Sequence, residues 1–269
     1  MNSPAEVASN YLAIGEGKTK LSILKMLVLG IFAGIFIALA GVGATTASAM
    51  VENPSVSRLL SGCIFPAGLA MVLVAGSELF TGNCLLVIPL LERRVKFTAV
   101  LRSWLFVYIG NLIGSLAVAA AVVYGHTFSL FGNALGGSAI DTAAAKVNLT
   151  FSDSLIRAIL CNVLVCIAVW MSFACKNISG KILSVFFPIM LFVQCGYEHS
   201  IAYMYYVGAG VLALGNEAYH AAASADLSNL TWAGFWLRNL LPVTLGNMIG
   251  GCGVGALYWI VYLRKAKEK

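Results

Sequence analysis

Long apolar runs separated by short polar breaks dominate the pattern of this chain. Four runs contain no Asp, Glu, Lys or Arg: residues 26–51, 103–140, 158–175 and 239–263. Two more runs, residues 59–91 and 182–216, are interrupted only by Glu78 and Glu198 respectively. A membrane-spanning helix needs about 20 apolar residues, with a range of roughly 17–25. The pattern therefore predicts six spans, near residues 22–50, 57–91, 98–124, 154–175, 182–214 and 234–263.

The composition supports this interpretation. Of the 269 residues, 60% are hydrophobic and 10% are charged, whereas a soluble domain carries roughly 25% charged residues. So few charges cannot cover the surface of a water-soluble protein of this size. We therefore predict an all-α membrane protein in which a lipid bilayer covers part of the surface.

The distribution of positive charge predicts the orientation. If both termini are cytoplasmic, 13 of the 17 Lys and Arg residues fall inside, and only Arg58, Lys146, Arg157 and Arg238 fall outside. This excess follows the positive-inside rule for inner (plasma) membrane proteins. The rule also accounts for the net charge of +6, so no nucleic-acid partner is predicted. The seven cysteines show no C-x-x-C spacing, and the sequence predicts no metal site and no cofactor.

The chain also resembles itself. Residues 110–114 (GNLIG) recur as residues 246–250 (GNMIG). A Phe-Pro pair at 65–66 precedes Gly76 and Glu78, and a second pair at 187–188 precedes Gly196 and Glu198. The order is the same in both halves, and each half holds three spans, so the second half would cross the membrane upside down. Such an inverted 3+3 repeat is typical of channels and transporters, whose site lies at the interface of the repeats.

These boundaries describe a single transmembrane channel domain over residues 1–269. We expect its parts to be an N-terminal cytoplasmic or interfacial segment (1–20), a first repeat (21–124), an outer loop (125–153), a second repeat (154–263) and a cytoplasmic tail (264–269). Within the first part, residues 4–13 place apolar side chains at helical spacing. They form either a short amphipathic helix on the membrane interface or a frayed terminus.

Spans two and five each carry a glycine and a glutamate at corresponding places, Gly76 with Glu78 and Gly196 with Glu198. A charged side chain near the bilayer centre is costly, and irregular backbone at that depth is tolerated only where protein or a water-filled cavity satisfies it. We therefore predict two broken helices whose N-terminal N–H groups face a pore that accepts an anion. Glu78 and Glu198 are expected to brace the breaks by hydrogen bonding, because a carboxylate facing the pore would repel the anion.

Four segments carry a resemblance to a known family: residues 77–83 (SELFTGN), 161–170 (CNVLVCIAVW), 196–200 (GYEHS) and 243–251 (VTLGNMIGG). Together they resemble the formate/nitrite transporter family, and they span nearly the whole chain. The resemblance implies an aquaporin-like fold, a homopentamer, one conduction path in each protomer, and a small anion as substrate rather than an enzymatic reaction.

The resemblance also implies residue roles. Thr81 and His199 match the family's pore threonine and central pore histidine, and Lys146, in residues 145–151 (AKVNLTF), matches its lysine before the fourth span. Their chemistry is suitable, because a hydroxyl and an imidazole can hydrogen-bond an anion and a lysine can attract one. Asn162 is expected in the same chamber.

Four apolar positions match the family's two hydrophobic constrictions: Phe65, Leu69, Leu79 and Phe192. Apolar rings block water and bare ions, since stripping water from a charge is very costly. The implied mechanism is that Lys146 and the helix ends draw in the anion, which is stabilised or protonated near Thr81 and His199 and then passes the rings. Because a histidine lies between the two barriers, we expect a proton to take part.

One position departs from the family pattern. The family usually continues Glu-His-Ser-x-Ala-Asn-Met, whereas residues 198–204 read EHSIAYM, with Tyr203 in place of the asparagine. Tyr203 is therefore a candidate for selectivity, and the compact chain most resembles the hydrosulfide-channel branch, with formate and nitrite as the other candidate substrates. The alternative class is an aquaporin-like channel for water or small neutral solutes, but the sequence has no Asn-Pro-Ala box.

Overall fold

The computed structural model describes residues 1–264, and within them the chain forms twelve α-helices. Residues 265–269 lie outside the described residues, so the predicted tail (264–269) is represented only by its first residue. The helices are α1 (Pro4–Thr19), α2 (Ile23–Ser48), α3 (Pro54–Ile64), α4 (Pro66–Ala75), α5 (Val87–Leu91), α6 (Phe97–Tyr124), α7 (Ala134–Val147), α8 (Phe151–Ala174), α9 (Ile178–Gln194), α10 (Ser200–Ala213), α11 (Glu217–Ala221) and α12 (Leu241–Tyr262). Short 3₁₀ turns cover Gly82–Leu86 and Thr127–Ser129, and a π-helical segment, Gly234–Leu240, leads into α12.

In the described part of the chain, five helical segments are long and apolar enough to cross a membrane. They are Ile23–Ser48, Pro54–Ala75, Phe97–Tyr124, Phe151–Ala174 and Gly234–Tyr262. The remaining predicted span, 182–214, is divided between α9 and α10, of 17 and 14 residues. The division occurs at Gly196, whose φ of +68° is a left-handed conformation that favours glycine. Gly76, with φ +81°, ends α4 in the same way.

Glycines allow the long helices to touch. A Cβ on Gly110 of α6 would stand 2.5 Å from the carbonyl oxygen of Leu27 on α2, and one on Gly246 of α12 would overlap the carbonyl oxygen of Leu155 on α8. No side chain fits at either place, so the repeated G-N-x-I-G motif brings α6 against α2 and α12 against α8. Small residues that permit such close approach are typical of membrane helix interfaces.

The N-terminal segment is a helix that lies against the bundle. Ser3 and Glu6 form a capping box, in which the Ser3 side chain accepts from the Glu6 N–H and the Glu6 carboxylate accepts from the Ser3 N–H. The bond from Ser3 lowers the pKa of Glu6. Val7, Ala8 and Tyr11 are buried. Of the two alternatives for residues 4–13, the structure therefore has the helix, and it packs on protein; its place at the membrane interface stays a prediction.

The segment predicted as an outer loop, 125–153, contains helix α7. Leu135, Ile140 and Val147 of α7 are fully buried, and a Cβ on Gly210 of α10 would overlap Ala143. The helix was missed because its apolar residues continue the run of span three without a break. Its last turn carries Lys146.

Several chain segments meet on one face of the bundle. The Asn2 N–H donates to the Ala174 carbonyl oxygen (2.9 Å), and the Trp259 indole N–H donates to the Glu92 carboxylate (2.7 Å). The Arg94 guanidinium lies 3.9 Å from the Glu16 carboxylate of α1 and links the two contacts. The N-terminal helix, residues 92–94 and the ends of α8 and α12 thus share a face, which agrees with the predicted topology. That this face is cytoplasmic stays a prediction.

Candidate functional site

The two broken segments are each held by an asparagine from a long helix. Asn111 of α6 accepts a hydrogen bond from the Phe80 N–H (3.0 Å) and donates to the carbonyl oxygens of Glu78 (2.9 Å) and Gly30 (2.8 Å). These bonds satisfy backbone groups that a broken helix leaves unpaired inside the bundle. They fix residues 78–81 at the centre of the protein.

Asn247 of α12 makes the same set of contacts with the second break. It accepts from the Ser200 N–H (2.9 Å) and donates to the carbonyl oxygens of Glu198 (2.9 Å) and Ala158 (2.8 Å). Both asparagines belong to the G-N-x-I-G motif, whose recurrence predicted an internal repeat but no hydrogen-bonding role for the asparagines. The sequence signal for this role was that asparagine, a polar residue, recurs at the same place in both copies of a motif that is otherwise small and apolar.

Thr81 and His199 meet at the centre. Thr81 Oγ1 lies 3.0 Å from His199 Nε2, and both side chains are buried. The other ring nitrogen, Nδ1, accepts the Ala202 N–H (3.1 Å) and so caps α10. A backbone N–H can only donate, so in the neutral ring Nδ1 is unprotonated and Nε2 carries the proton. His199 therefore donates to Thr81, and the hydroxyl proton of Thr81 remains available for another acceptor.

Asn162 of α8 lies behind this contact. Its amide nitrogen donates to the carbonyl oxygens of Thr81 (3.2 Å) and Asn247 (2.6 Å). The amide thus joins the first broken segment to α12, the helix whose Asn247 holds the second break. Its Oδ1 is buried and has no hydrogen-bond partner within residues 1–264.

The four predicted constriction residues surround a very small central cavity together with His199. Phe65, Leu69, Leu79 and Phe192 line it, and its volume is about 10 Å³. A cavity needs roughly 10–15 Å³ to hold one water molecule, so the centre is nearly closed. Phe65 and Phe192 meet edge to face with ring centroids 5.7 Å apart, and Phe192 stacks on the His199 ring at 5.8 Å.

A larger cavity of about 440 Å³, the wide vestibule, opens on one side of this centre. Phe65, Phe192 and His199 line both cavities. Lys146 and Tyr203 stand in its wall: the Lys146 ammonium is 2.7 Å from Glu198 Oε1 and 5.1 Å from the centroid of the Tyr203 ring. Lys146 is therefore a paired charge in the vestibule wall, and not a solvated loop residue.

A narrow cavity of about 40 Å³ lies on the other side, beneath α1, and we call it the α1 pocket. It shares Leu69 and Leu79 with the central cavity. Tyr11 and Lys18 of α1 also line it. The wide vestibule, the central cavity and the α1 pocket thus follow one another in a line through the protein.

Lys18 was missed by the sequence reasoning. Its ammonium is 2.8 Å from Glu78 Oε1 and 3.0 Å from Asn83 Oδ1. The contact matches the pair of Lys146 with Glu198, so each glutamate of the broken segments is bonded to a lysine that precedes a long helix. A search for the counterpart of Lys146 in the first half of the chain could have found it.

Comparison with known proteins identifies the family. The family model described as formate/nitrite transporter matches residues 5–260. The chain is 37% identical to a probable formate transporter of Methanothermobacter thermautotrophicus, over 98% of each chain. It is 34% identical to the formate channel FocA of Escherichia coli K12, over 97% of this chain and 95% of that protein.

Solved structures agree with this assignment. A pentameric formate channel with formate bound is 33% identical, with a TM-score of 0.80 over 90% of this chain and 98% of that chain. An FNT family ion channel is 28% identical, with a TM-score of 0.83 over 95% and 98%. The fold is thus that of a helical membrane channel, and its relatives are transporters and channels and not enzymes. The chain belongs to the formate/nitrite transporter family.

Proposed function

We propose that this protein conducts small monovalent weak-acid anions, with formate, nitrite and hydrosulfide as the candidate substrates, along the line of three cavities. The observation that carries the proposal is the 3.0 Å contact of Thr81 with His199, whose ring lines the central cavity together with the apolar side chains of the narrowest point. The relatives named as formate channels and the formate-bound solved structure support the substrate class.

The hydroxyl of Thr81 is the proposed donor to the anion. Since His199 Nε2–H already donates to Thr81 Oγ1, the hydroxyl proton points to a different acceptor, and an anion in the central cavity can be that acceptor. An anion that leaves water must find such a donor, because an unpaired charge in an apolar site is very costly. Hydrogen bonds to charged groups are the stronger ones.

His199 can give a proton to the anion only if its ring first becomes an imidazolium. A second proton on the ring must bind Nδ1, which accepts the Ala202 N–H. Forming an imidazolium therefore removes the cap of α10, and losing such a cap costs about 0.5–2 kcal/mol. We infer that His199 acts as a neutral donor, and that any proton the anion gains comes from water in the vestibule.

The finer architecture is part of the proposal. We infer six membrane crossings in an inverted 3+3 repeat, in which the divided segment 178–213 provides the fifth. Support comes from the matching contacts of the two halves: Asn111 with Glu78 in one, and Asn247 with Glu198 in the other. We further propose a homopentamer in the inner membrane with both termini in the cytoplasm, by similarity to the pentameric relative and from the positive-inside pattern.

Tyr203 is the proposed selectivity residue. Its ring lies under the Lys146 ammonium at the vestibule wall, so the substitution of the family's asparagine changes the surroundings of that charge. An aromatic face stabilises a cation and reduces its pull on a passing anion. A Tyr203→Asn variant should therefore change the ranking of hydrosulfide, formate and nitrite.

The test is anion flux in proteoliposomes that hold the purified protein. Formate, nitrite, hydrosulfide and chloride are compared with water under one imposed gradient. Rapid flux of one or more weak-acid anions, reduced in Thr81→Val and kept in Thr81→Ser, supports the proposal. Water flux without anion flux would overturn it and would favour the aquaporin-like alternative.

A further inference from the structure

Two charged side chains stand among the residues that line the wide vestibule, Lys146 of α7 and Arg58 of α3. The charge of Lys146 is compensated by Glu198 at 2.7 Å. Arg58 has no carboxylate within 4.0 Å anywhere in residues 1–264. The uncompensated positive charge of the vestibule wall therefore belongs to Arg58 and not to Lys146.

Arg58 is exposed, and its guanidinium lies against Gly196. A Cβ built on Gly196 would stand 2.7 Å from Arg58 Nη1, so the guanidinium rests on the space that any other side chain at 196 would occupy. Gly196 is also the residue with φ +68° at which span five breaks. The contact places Arg58 beside the start of the segment that carries Glu198 and His199, and Gly196 and His199 line the same vestibule.

We propose that Arg58 is the anion-recognition residue of the wide vestibule, and that it favours planar anions with two oxygens on one edge, such as formate and nitrite. Hydrosulfide and chloride, which offer one acceptor atom, gain less from it. This inference rests on the proposed anion conduction and deepens it, because it names the ligand class that the vestibule selects.

The chemistry follows from the shape of the guanidinium. It presents N–H donors in a planar fork that matches two oxygens of a carboxylate, whereas a lysine ammonium acts as a compact point charge. Lys146 cannot provide the fork, and it donates one hydrogen bond to Glu198. The positive charge raises the local concentration of every anion, and the fork adds a preference for those with two oxygens.

The experiment separates the effect of the positive charge of Arg58 from the effect of its planar fork of N–H donors. Arg58→Lys keeps the charge and removes the fork, and Arg58→Gln removes both. Arg238→Gln is the matched control, because Arg238 is an exposed arginine that does not line the vestibule. Flux in proteoliposomes is measured against concentration for formate and for hydrosulfide. In detergent, the melting temperature of each protein is measured in sodium formate and in sodium chloride at equal ionic strength.

We expect Arg58→Lys to raise the KM for formate by roughly five- to tenfold while the KM for hydrosulfide stays within about twofold. Arg58→Gln should raise both, and Arg238→Gln neither. Formate should raise the melting temperature of the wild-type protein above its value in chloride, and Arg58→Lys should lose that difference.

Two results would overturn the assignment: unchanged formate kinetics in Arg58→Lys, or an equal rise in KM for both anions. A wild-type protein without anion flux would instead refute the proposed function. In that case the formate-dependent melting temperature still decides on Arg58, and its absence in the wild type refutes the anion site as well.

Discussion

Removing the hydroxyl of Thr81 tests the centre of the proposed pathway most directly. Valine has nearly the shape of threonine, so Thr81→Val deletes one oxygen in a site where Thr81 is fully buried and His199 is 2% exposed. Two interactions are lost. The anion loses its proposed donor, and the Nε2–H of His199 loses the acceptor that lies 3.0 Å away.

The magnitude follows from these two losses. A hydrogen bond to a charged group contributes about 1.5–3 kcal/mol, and a barrier change of 1.36 kcal/mol is a tenfold change in rate, so flux should fall roughly 10- to 100-fold. The unpaired N–H of His199 costs about 1–3 kcal/mol of folding stability. The melting temperature in detergent should therefore fall as well.

The assay is initial formate flux into proteoliposomes at matched protein content, with Thr81→Ser as the control. Serine keeps the hydroxyl, so it should retain flux within about threefold of the wild type, since only packing contacts are lost. If Thr81→Val conducted formate at the wild-type rate, the hydroxyl would not be the donor, and the central role of Thr81 would be refuted.

Three further predictions follow from buried contacts. His199→Asn keeps an acceptor for the Ala202 N–H and a donor toward Thr81, so flux and its pH dependence should both stay close to wild type in the same assay. A changed pH dependence would favour the proton role expected from the sequence. Glu198→Gln removes the counter-charge of the Lys146 ammonium, which lies 2.7 Å from the carboxylate in the wild type, and should lower the free energy of unfolding by about 3–5 kcal/mol. Adding Lys146→Met should recover part of the lost melting temperature. No recovery would contradict the argument that the two charges stabilise each other. The Tyr11 hydroxyl is buried and has no hydrogen-bond partner within residues 1–264. Tyr11→Phe should therefore leave the free energy of unfolding unchanged or raise it by about 1 kcal/mol, and a clear loss would mean that the hydroxyl has a partner.

The sequence pattern predicted the parts of the fold that depend on local properties. Uncharged runs marked the long helices, because a charge within the bilayer is costly. Gly76 and Gly196 marked the breaks, because only glycine adopts their positive φ without strain. Apolar residues at helical spacing indicated a helix within residues 4–13, with a frayed terminus as the equally open alternative, whereas the Ser3 and Glu6 capping box came from the structure.

Other features depend on contacts between distant parts of the chain, and no local pattern predicted them. Helix α7 packs against α10, more than 60 residues later, and the uncharged run that it shares with span three gave no local sign of a separate helix. The pair of Lys18 with Glu78 spans 60 residues. The sequence predicts Arg58 only as one of four scattered outer charges, whereas in the structure its guanidinium lies against Gly196. The sequence thus suggested Thr81 and His199 as the central pair, and only the tertiary structure showed that Lys18 and Arg58 lie in the cavities on either side.

The two halves of the chain match in their paired contacts but differ in net charge at the two cavities. Lys18 and Lys146 each have a glutamate partner, so neither contributes uncompensated charge. Aligned on the Phe-Pro pairs, Arg58 corresponds to Gly180 in the second half. The α1 pocket therefore has no equivalent of Arg58, and Lys18 is the one charged residue among its described lining residues.

This difference in charge predicts that the KM for an anion differs between the two faces of the channel. An anion that arrives at the wide vestibule meets a free guanidinium, whereas one that arrives beneath α1 meets a neutral pair and a cavity of about 40 Å³. The KM for formate should be roughly three- to tenfold lower from the vestibule face, since a local charge raises the concentration of its counter-ion. The measurement is influx in proteoliposomes sorted by orientation with a tag on one face. If the charge of Arg58 causes the difference in KM, Arg58→Gln should remove most of that difference. A difference that persists in Arg58→Gln would mean that the narrow α1 pocket causes it. Equal KM values on the two faces of the wild-type protein would refute the predicted difference itself.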